Sequence, residues 1–448
     1  MLLQLKNNNK LPIIISSLSG LLFGIDTGNI AGSLAFIKKE FSTSIMQDEI
    51  VVSITILMAF LSSFLLGRLI DKIGQRNSLI YCSIMFAIGA LLGTYSRSLA
   101  EVIIARGILG IAIGVSSFVT PSYISEITPA RNRGRLVLIN SITITLGECI
   151  AFLAGYFLCS NGVENWRSMF LLGFLPAIVL FAGMVFMPHS PRWLLLQDKP
   201  DQAFEILRRY DPINAQSILN KVRSSLTNYS NYSLFELLKS KKFKTPLFIG
   251  ITLGVLQQFF GINAMMYYGP SIFQKAGFVK HGDQMLLTFV LGLTNTLITL
   301  MLGIYIDRVG RRKFLMIGSL LACFSLLCVS TAFHSNYHFK GLIIIICMIL
   351  YICGYCMSVG SLFWLVISEI FPLQIKGFGM GLATSIQWLA NFLNVAFFLS
   401  AIEKFHPSFV FIIYSCLCFL TYLFSKHFVP ETKNLSLEDI NCEATELI

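Results

Sequence analysis

Two charged residues lie inside long apolar stretches of this chain. Asp26 stands within residues 23–32, and Arg106 lies in the apolar run that begins near residue 99. A charged side chain at the centre of a membrane helix costs about 2.5–3.5 kcal/mol on insertion scales and is usually retained for function. A carboxyl can bind and release a proton, and a nearby guanidinium favours its ionised form. We therefore predict that Asp26 is a proton site coupled to Arg106. The alternative is a permanent ion pair that braces two helices.

The elements that must position these residues are membrane helices. Of the 448 residues, 55% are hydrophobic and 13% are charged, with a mean hydropathy of +0.72, which excludes an ordinary soluble domain. Apolar stretches long enough to cross about 30 Å of hydrocarbon begin near residues 11, 50, 77, 99, 136, 168, 246, 284, 314, 341, 378 and 408. We predict an all-α membrane protein with twelve spans and no removable signal peptide.

Two phrases of the sequence occur twice. Residues 67–76 are echoed by residues 303–312, and residues 125–134 by residues 368–377, each at the end of an apolar run. Two homologous membrane halves in one chain are typical of a carrier that rocks about a central site. We predict two six-helix halves at 1–188 and 246–428, a linker with short amphipathic helices at 189–245 (Gln202–Arg209 and Ser233–Lys239), and a tail at 429–448.

The charge distribution predicts the orientation. Most of the 34 Lys and Arg fall in the tails and in alternate connections on one side, so the positive-inside rule places both termini in the cytoplasm. The net charge of +11 then reflects topology in the plasma or inner membrane, and we expect no nucleic-acid partner. The sequence offers no metal-ligand cluster and no nucleophile–base pair, so we expect neither a cofactor nor an enzyme.

Further motifs make the chain resemble the sugar porters of the major facilitator superfamily over nearly its whole length. Besides the two repeated phrases, they lie at residues 106–114, 121–126, 188–193, 257–263, 364–369 and 430–433. Each motif alone is weak, but their order and their positions at span ends are specific. The ending at 430–438 is most similar to bacterial arabinose, galactose and xylose proton symporters. The resemblance implies the twelve-helix major facilitator fold.

The resemblance also implies where a sugar binds, because family members hold it near the membrane midplane, mostly through the second half. The matching positions are Gln257, Gln258, Asn263, Asn295 and Trp364, with Gln387, Trp388 and Asn391 as weaker candidates and Ser141 and Glu148 in the first half. Carboxamides offer donors and acceptors to sugar hydroxyls, and indoles offer a flat apolar surface. The alternative is that the amides only hold helices together.

Two gates are implied as well. Tyr267 and Tyr268 resemble the extracellular gate of the family, although packing is an equally simple explanation. Charged residues of the repeated phrases form a candidate cytoplasmic lock between the halves: Arg68, Asp71, Glu126, Arg133, Asp307, Arg311, Arg312, Glu369 and Lys376. Exposed ion pairs contribute only about 0–1 kcal/mol each, yet a network of them can bias a two-state equilibrium. A fixed structural brace is the alternative.

Four positions depart from the family pattern. Ser141 and Glu148 stand where Gln is usual, so Glu148 either contacts a hydroxyl, adds a second proton site or pairs with Arg106. Ser361 replaces a common Pro, which predicts the loss of a helix break. His189 replaces a Glu, which removes one acidic member of the lock.

Asp26 decides the predicted mode of transport. Animal facilitators of this family typically carry an amide at its position, and an amide does not titrate. We therefore predict a proton-coupled symporter of a monosaccharide, a hexose or a pentose. A uniporter of a sugar or of a polyol such as inositol is the alternative, and a non-transporting sugar sensor is a remote one. The expected partners are the sugar, H⁺ and membrane lipid, and we expect a monomer because one chain holds both halves of the pathway.

Overall fold

The computed structural model describes residues 10–128, 133–160, 166–210, 215–217, 219–220, 241–334, 339–371 and 376–431. Twelve helical segments in this part are long and apolar enough to cross a membrane, which confirms the predicted number. In chain order, spans 1–12 are Leu11–Phe41, Ile45–Leu65, Gln75–Tyr95, Leu99–Ile127, Leu138–Leu158, Trp166–Phe186, Lys244–Tyr267, His281–Tyr305, Arg311–His334, Lys340–Ile367, Gly379–Lys404 and His406–His427. The predicted starts lie within a few residues of these.

Short polar caps start several of the helices. Ser44 precedes span 2 and forms a reciprocal capping box with Gln47, in which each side chain accepts from the other residue's backbone N–H. Ser98 accepts from the backbone N–H of Glu101 at the start of span 4. Such caps satisfy N–H groups that have no partner inside the helix, which matters most where little water is available.

The ends of the spans form two faces of the bundle. The connections 66–74 and 309–310 share one end with residues 187–210 of the linker. This end, here called the motif face, is where the starts of spans 3 and 9 bond to the ends of spans 6 and 12. The connections 42–44 and 276–280 belong to the opposite face. Between the halves, span 2 packs on span 11 and span 5 packs on span 8.

Spans 1 and 5 approach each other through glycines. A Cβ added to Gly24 would lie 1.9 Å from the carbonyl oxygen of Ile144 and 2.7 Å from the backbone nitrogen of Glu148. From the other side, a Cβ on Gly147 would lie 2.2 Å from the carbonyl oxygen of Leu21. Small residues at these positions let the two backbones touch, which is the usual basis of tight helix packing in membranes. This contact fixes span 1 directly against span 5 within the first half.

Two spans of the second half are interrupted. Span 7 consists of helices Lys241–Phe259 and Ile262–Tyr267, and Gly261 between them has a φ of +99°, which favours glycine. Span 10 consists of helices Lys340–Tyr355 and Ser361–Ile370, joined by a π-helical turn at Cys356–Gly360.

The interruption in span 10 corrects one prediction from the sequence. The replacement of Pro by Ser361 does not remove the helix break, because Ser358 leaves helical geometry with a φ of −101° and a ψ of −125°. The carbonyls of Val359 and Gly360 accept hydrogen bonds from the Gln257 side chain, at 3.0 and 3.3 Å. A side chain of span 7 thus replaces partners that the helix ladder of span 10 no longer supplies.

The linker contains the helices Pro191–Leu196 and Pro200–Tyr210. The second confirms the helix predicted at Gln202–Arg209, whereas the one predicted at Ser233–Lys239 lies outside the described residues. The segment just before the first of these helices is tied to span 4, since the Tyr123 hydroxyl donates to the Pro188 carbonyl at 2.8 Å.

We predict that Gly24→Ala destabilises the protein, because the new methyl group meets backbone atoms that cannot move away by changing rotamer. Overpacking of this kind costs about 1–3 kcal/mol, so the thermal unfolding midpoint in detergent should fall. Gly381→Ala in span 11 is the matched control, since its Cβ would meet no atom within 4 Å and Ala favours a helix. Equal midpoints for the two variants would contradict the close approach of spans 1 and 5.

Candidate functional site

A cavity of about 130 Å³ lies between the two halves. Its walls include all ten residues proposed from the sequence for sugar binding: Ser141, Glu148, Gln257, Gln258, Asn263, Asn295, Trp364, Gln387, Trp388 and Asn391. Phe23, Asn140, Thr299 and Tyr355 also line the cavity and were not predicted from the sequence. Carboxamides, hydroxyls and aromatic faces together suit a small polyhydroxylated molecule.

The Gln257 carboxamide is fixed from two sides. Its nitrogen donates to the two carbonyls at the interruption of span 10, and its oxygen accepts a hydrogen bond from the Gln387 amide of span 11. These bonds settle which end of Gln257 is the nitrogen. The side chain therefore presents a defined orientation to the cavity.

Gln258 and Asn263 meet because span 7 is interrupted between them. The Asn263 amide donates to the Gln258 side-chain oxygen at 2.7 Å. Asn394 donates to the Gln258 backbone carbonyl at 2.9 Å, and the Tyr414 hydroxyl donates to the Asn394 side-chain oxygen at 2.6 Å. This chain of bonds rigidifies the second-half wall of the cavity, as connected polar networks do when their members are satisfied.

Two other amides of the cavity wall keep unused bonding capacity. Neither side-chain polar atom of Asn391 has a hydrogen-bond partner among the described residues, although the residue is only 1% exposed. The Asn140 side-chain oxygen, on the first-half wall, also lacks a hydrogen-bond partner among the described residues. A buried polar group without a partner costs about 1–3 kcal/mol, so a ligand with hydroxyls that reaches these atoms gains that free energy.

The walls of the cavity also touch each other across the halves. The Trp388 indole N–H donates to the Ser117 hydroxyl at 3.3 Å, and its ring lies 5.6 Å from that of Phe23. The Asn295 amide donates to a Glu148 carboxylate oxygen at 3.5 Å. Residues of both halves thus share one binding space.

Asp26 and Arg106 form an ion pair inside the first half. The Arg106 Nη1 and Asp26 Oδ1 atoms are 2.5 Å apart, and the two side chains are 0% and 5% exposed, respectively. The rest of the guanidinium donates to the carbonyls of Val51 at 3.2 Å and Val52 at 3.5 Å, so Arg106 joins spans 1, 2 and 4. The pair that the sequence suggested is therefore present, whereas none of the ion pairs of the described residues joins Arg106 to Glu148.

The proton-site candidate is separate from the large cavity. Asp26 lines a small second cavity, together with Asn29 and apolar residues of spans 1, 3, 4 and 6. The free Asp26 oxygen, Oδ2, and the Asn29 side-chain oxygen lack partners within the described part of the chain. Phe23, less than one helical turn from Asp26, lines the large cavity. A single helix thus connects the ion pair to the binding space.

A match to a protein-family model shows which family has this architecture. The model described as "Sugar (and other) transporter" matches residues 13–444. This chain belongs to that sugar transporter family. It is a transporter with the major facilitator fold and not an enzyme, which confirms the resemblance noted in the sequence.

Individual relatives match the sugar transporter over nearly its full length. It is 35% identical to the galactose-proton symporter of Escherichia coli K12 over 95% of this chain and 92% of the relative. It is 34% identical to the arabinose-proton symporter of the same strain over 96% of this chain and 92% of the relative. The solved structure of the proton:xylose symporter XylE bound to 6-bromo-6-deoxy-D-glucose superposes with a TM-score of 0.85 at 28% identity, covering 97% of this chain and 98% of that one.

The opposite face of the transporter is closed by contacts between the halves. Glu49 at the start of span 2 accepts from the Ser400 backbone N–H at 2.8 Å and from its hydroxyl at 2.7 Å. Tyr267 and Tyr268, the gate candidates, are both buried at this end of span 7, and the Tyr268 ring stacks on Phe398 at 5.4 Å. Glu49 was not predicted from the sequence, although an acidic residue near the start of a membrane helix is a usable signal.

On the motif face of the transporter, the structure describes bonds of three lock residues, Glu126, Arg311 and Arg312. Glu126 accepts from Gln75 at 3.1 Å and also from Ser122 and Ser190. The Arg312 side chain donates to the Lys426 carbonyl, while the backbone N–H groups of Arg311 and Arg312 donate to Glu431. The other lock candidates have side chains outside the described part: Arg68, Asp71, Arg133, Asp307, Glu369 and Lys376.

His189 occupies the place of the missing acidic residue. Its Nε2 lies 2.8 Å from the Arg76 guanidinium, which is a donor, and its ring stacks on Trp193 at 4.6 Å. Burial, and then the charges of Arg76 and Lys199, lower the pKa of His189 to about 4. The imidazole is therefore neutral at pH 7 and accepts the hydrogen bond of Arg76.

We predict that His189 makes the protein sensitive to acid. An unfolded chain protonates this residue near its ordinary pKa of about 6.5, so its contribution to stability is complete above that pH and is lost as the pH falls toward about 4. His189→Gln keeps an acceptor but does not titrate in this range. The thermal midpoint should therefore fall less between pH 7 and pH 5 in the variant than in the wild type. An identical pH dependence would remove His189 as a cause.

Proposed function

We propose that this protein is a proton-coupled symporter that imports a monosaccharide, a hexose or a pentose, across the cytoplasmic membrane. The observation that carries the proposal is a cavity shared by both halves and lined by carboxamides and indoles, which span 1 connects to a separate buried ion pair. The names of the relatives, which include galactose-proton and arabinose-proton symporters, support the same class of substrate.

The sugar binds through the second-half wall in this proposal. Gln257, Gln258 and Asn263 have fixed orientations, so they offer defined donors and acceptors to the hydroxyls. Asn391 offers both unused atoms of its amide. Trp388 and Trp364 offer apolar ring faces to the C–H side of the sugar. Asn295, Gln387 and Ser141 complete the polar wall, and Glu148 provides its one carboxyl.

Asp26 carries the proton in this proposal. Protonation neutralises the carboxyl and releases Arg106 from a charge-assisted bond, and deprotonation restores the pair. The two protonation states hold spans 1, 2 and 4 together with different strength, so they favour different arrangements of the halves. Proton entry supplies about 2.3 kcal/mol per 100 mV of membrane potential, which is sufficient for severalfold accumulation of a sugar.

The cycle is one of alternating access. We assign the motif face, with its many basic connections, to the cytoplasm together with both termini, in accordance with the positive-inside rule. The contact between Glu49 and Ser400, with Tyr267 and Tyr268, then closes the extracellular side. The lock residues of the repeated phrases close the cytoplasmic side in the other state. A monomer is sufficient, because a single chain lines the cavity, and lipid covers its apolar exterior.

A facilitative uniporter of a sugar or polyol is the second candidate. It is favoured by the 2.5 Å separation of Asp26 and Arg106, since a pair that is never broken acts only as a brace. In this case, sugar moves down its gradient without a proton.

The deciding experiment follows the external pH when sugars are added to de-energised proteoliposomes that contain the protein. D-galactose, D-glucose, L-arabinose, D-xylose and inositol form the panel. Alkalinisation with one of them supports symport and names the substrate. Equilibration of labelled sugar without a pH change supports the uniporter. Absence of both responses for the whole panel contradicts a sugar substrate.

We predict that Asp26→Asn abolishes uphill accumulation but spares sugar exchange. The amide keeps the shape of the side chain but cannot bind the proton, so conformational exchange no longer depends on protonation. Accumulation and equilibrium exchange are measured with labelled sugar under an imposed proton gradient. Asp283→Asn, which makes the same charge change at an exposed position, is the control and should accumulate sugar normally. Accumulation that survives in Asp26→Asn excludes Asp26 from coupling.

We predict that Gln258→Ala and Asn263→Ala each weaken sugar binding about 2- to 10-fold. Each truncation removes a hydrogen-bonding group whose net contribution is about 0.5–1.5 kcal/mol. Sugar-dependent quenching of tryptophan fluorescence gives the dissociation constant. Gln216→Ala, at an exposed site of the linker, controls for loss of an amide elsewhere. Unchanged affinity in both cavity variants would move the binding site away from this wall.

A further inference from the structure

Glu148 is the one charged residue among the described residues that line the large cavity. It lies on span 5, only 7% exposed, in the packed region where glycines of span 1 touch the backbone of span 5. The position of its carboxyl differs from that of Asp26, which is paired with Arg106 and lines a different cavity. The buried carboxyls of Glu148 and Asp26 thus lie in two different environments.

The groups around Glu148 include no cation among the described residues. Span 8 contributes the Asn295 amide at 3.5 Å. The titratable groups within electrostatic range are Tyr267 from span 7, Tyr355 and Cys356 from span 10, and Cys149 on its own span. All of these are neutral when protonated, so none of them balances a carboxylate charge.

We propose that Glu148 is a second proton-binding site, located inside the sugar cavity, and that its proton is carried with the sugar. The inference rests on the proposed function. An ionised carboxylate without a cation is strongly disfavoured in a closed, poorly hydrated space, and a neutral sugar cannot supply the missing charge. A proton from water on one side therefore binds a Glu148 oxygen before the cavity closes, and it returns to water on the other side.

The neighbours of Glu148 suit both of its protonation states. The ionised carboxylate accepts the hydrogen bond from the Asn295 amide, whose own oxygen accepts from the Cys356 thiol at 3.0 Å. The protonated carboxyl gains one donor, which a sugar hydroxyl in the same cavity can accept. Sugar occupancy and protonation of Glu148 then favour each other, as required of coupled ligands.

The test measures how many protons move with each sugar. In proteoliposomes with a fixed membrane potential and no pH gradient, the sugar gradient that stops net flux gives the ratio. At about 59 mV, one coupled proton balances about a tenfold gradient and two protons balance about a hundredfold gradient. D-galactose is the first probe, and the other neutral sugars of the panel follow.

We expect a gradient of about a hundredfold for the wild type and about tenfold for Glu148→Gln, which keeps the shape of the side chain. Asp283→Asn, at an exposed carboxyl outside the cavity, should keep the wild-type ratio. Asp26→Asn remains uncoupled, because Asp26 controls the conformational step itself. Equilibrium exchange of labelled sugar verifies that Glu148→Gln is folded.

Three results would overturn the inference. An equal gradient for Glu148→Gln and the wild type removes Glu148 as a carrier but leaves symport intact. A wild-type gradient of about tenfold leaves room for one proton only, and this measurement does not depend on the folding of a variant. If D-glucosamine, a cation, displaces neutral sugar far better from the wild type than from Glu148→Gln, the carboxyl pairs with a charged ligand instead. Failure of every sugar to be transported, by contrast, removes the proposed function itself.

Discussion

The buried ion pair of Asp26 and Arg106 constrains the packing of the first half. Removing one partner of such a pair leaves an uncompensated charge and costs about 3–5 kcal/mol. Arg106 also donates to two carbonyls of span 2, so the pair sets the relative positions of spans 1, 2 and 4. On its other side, span 1 is held against span 5 by the glycine contacts of Gly24 and Gly147. Span 1 is therefore held on both sides at the level of Asp26.

In the second half, the wall of the cavity is held by hydrogen bonds at helix interruptions and not by an ion pair. Interruptions in spans 7 and 10 free backbone carbonyls, and side chains of neighbouring spans occupy them. Gln257 bonds to the carbonyls of span 10, and Asn394 bonds to that of Gln258. Irregular backbone at membrane depth is tolerated where it lines a cavity or is buried in protein. The same bonds therefore satisfy the freed backbone carbonyls and orient the amides that face the cavity.

Much of this arrangement could be predicted from the sequence, because hydropathy and motifs are local or repeated signals. The twelve spans, and ten of the residues that line the cavity, follow from such signals. The break at Ser358 could not be predicted, because it depends on a bond from Gln257, about a hundred residues away in the chain. Asn140 was missed for a related reason: an amide in a span has the same sequence pattern whether or not its bonds are satisfied. For Glu148, only the three-dimensional position distinguishes a partner of Arg106 from a residue of the cavity.

Arg76 and Arg312 occupy equivalent places in the repeated phrase, and each bonds to the last span of its own half. Arg76 donates to the Met184 carbonyl at 3.0 Å, and Arg312 donates to that of Lys426. Each half thus has a bond of its own between its third and its last span, in addition to the linker contacts of Arg76 and Glu126. The two halves meet through spans 2 and 11 and through spans 5 and 8. The protein is therefore organised like two paired subunits that are joined in one polypeptide chain.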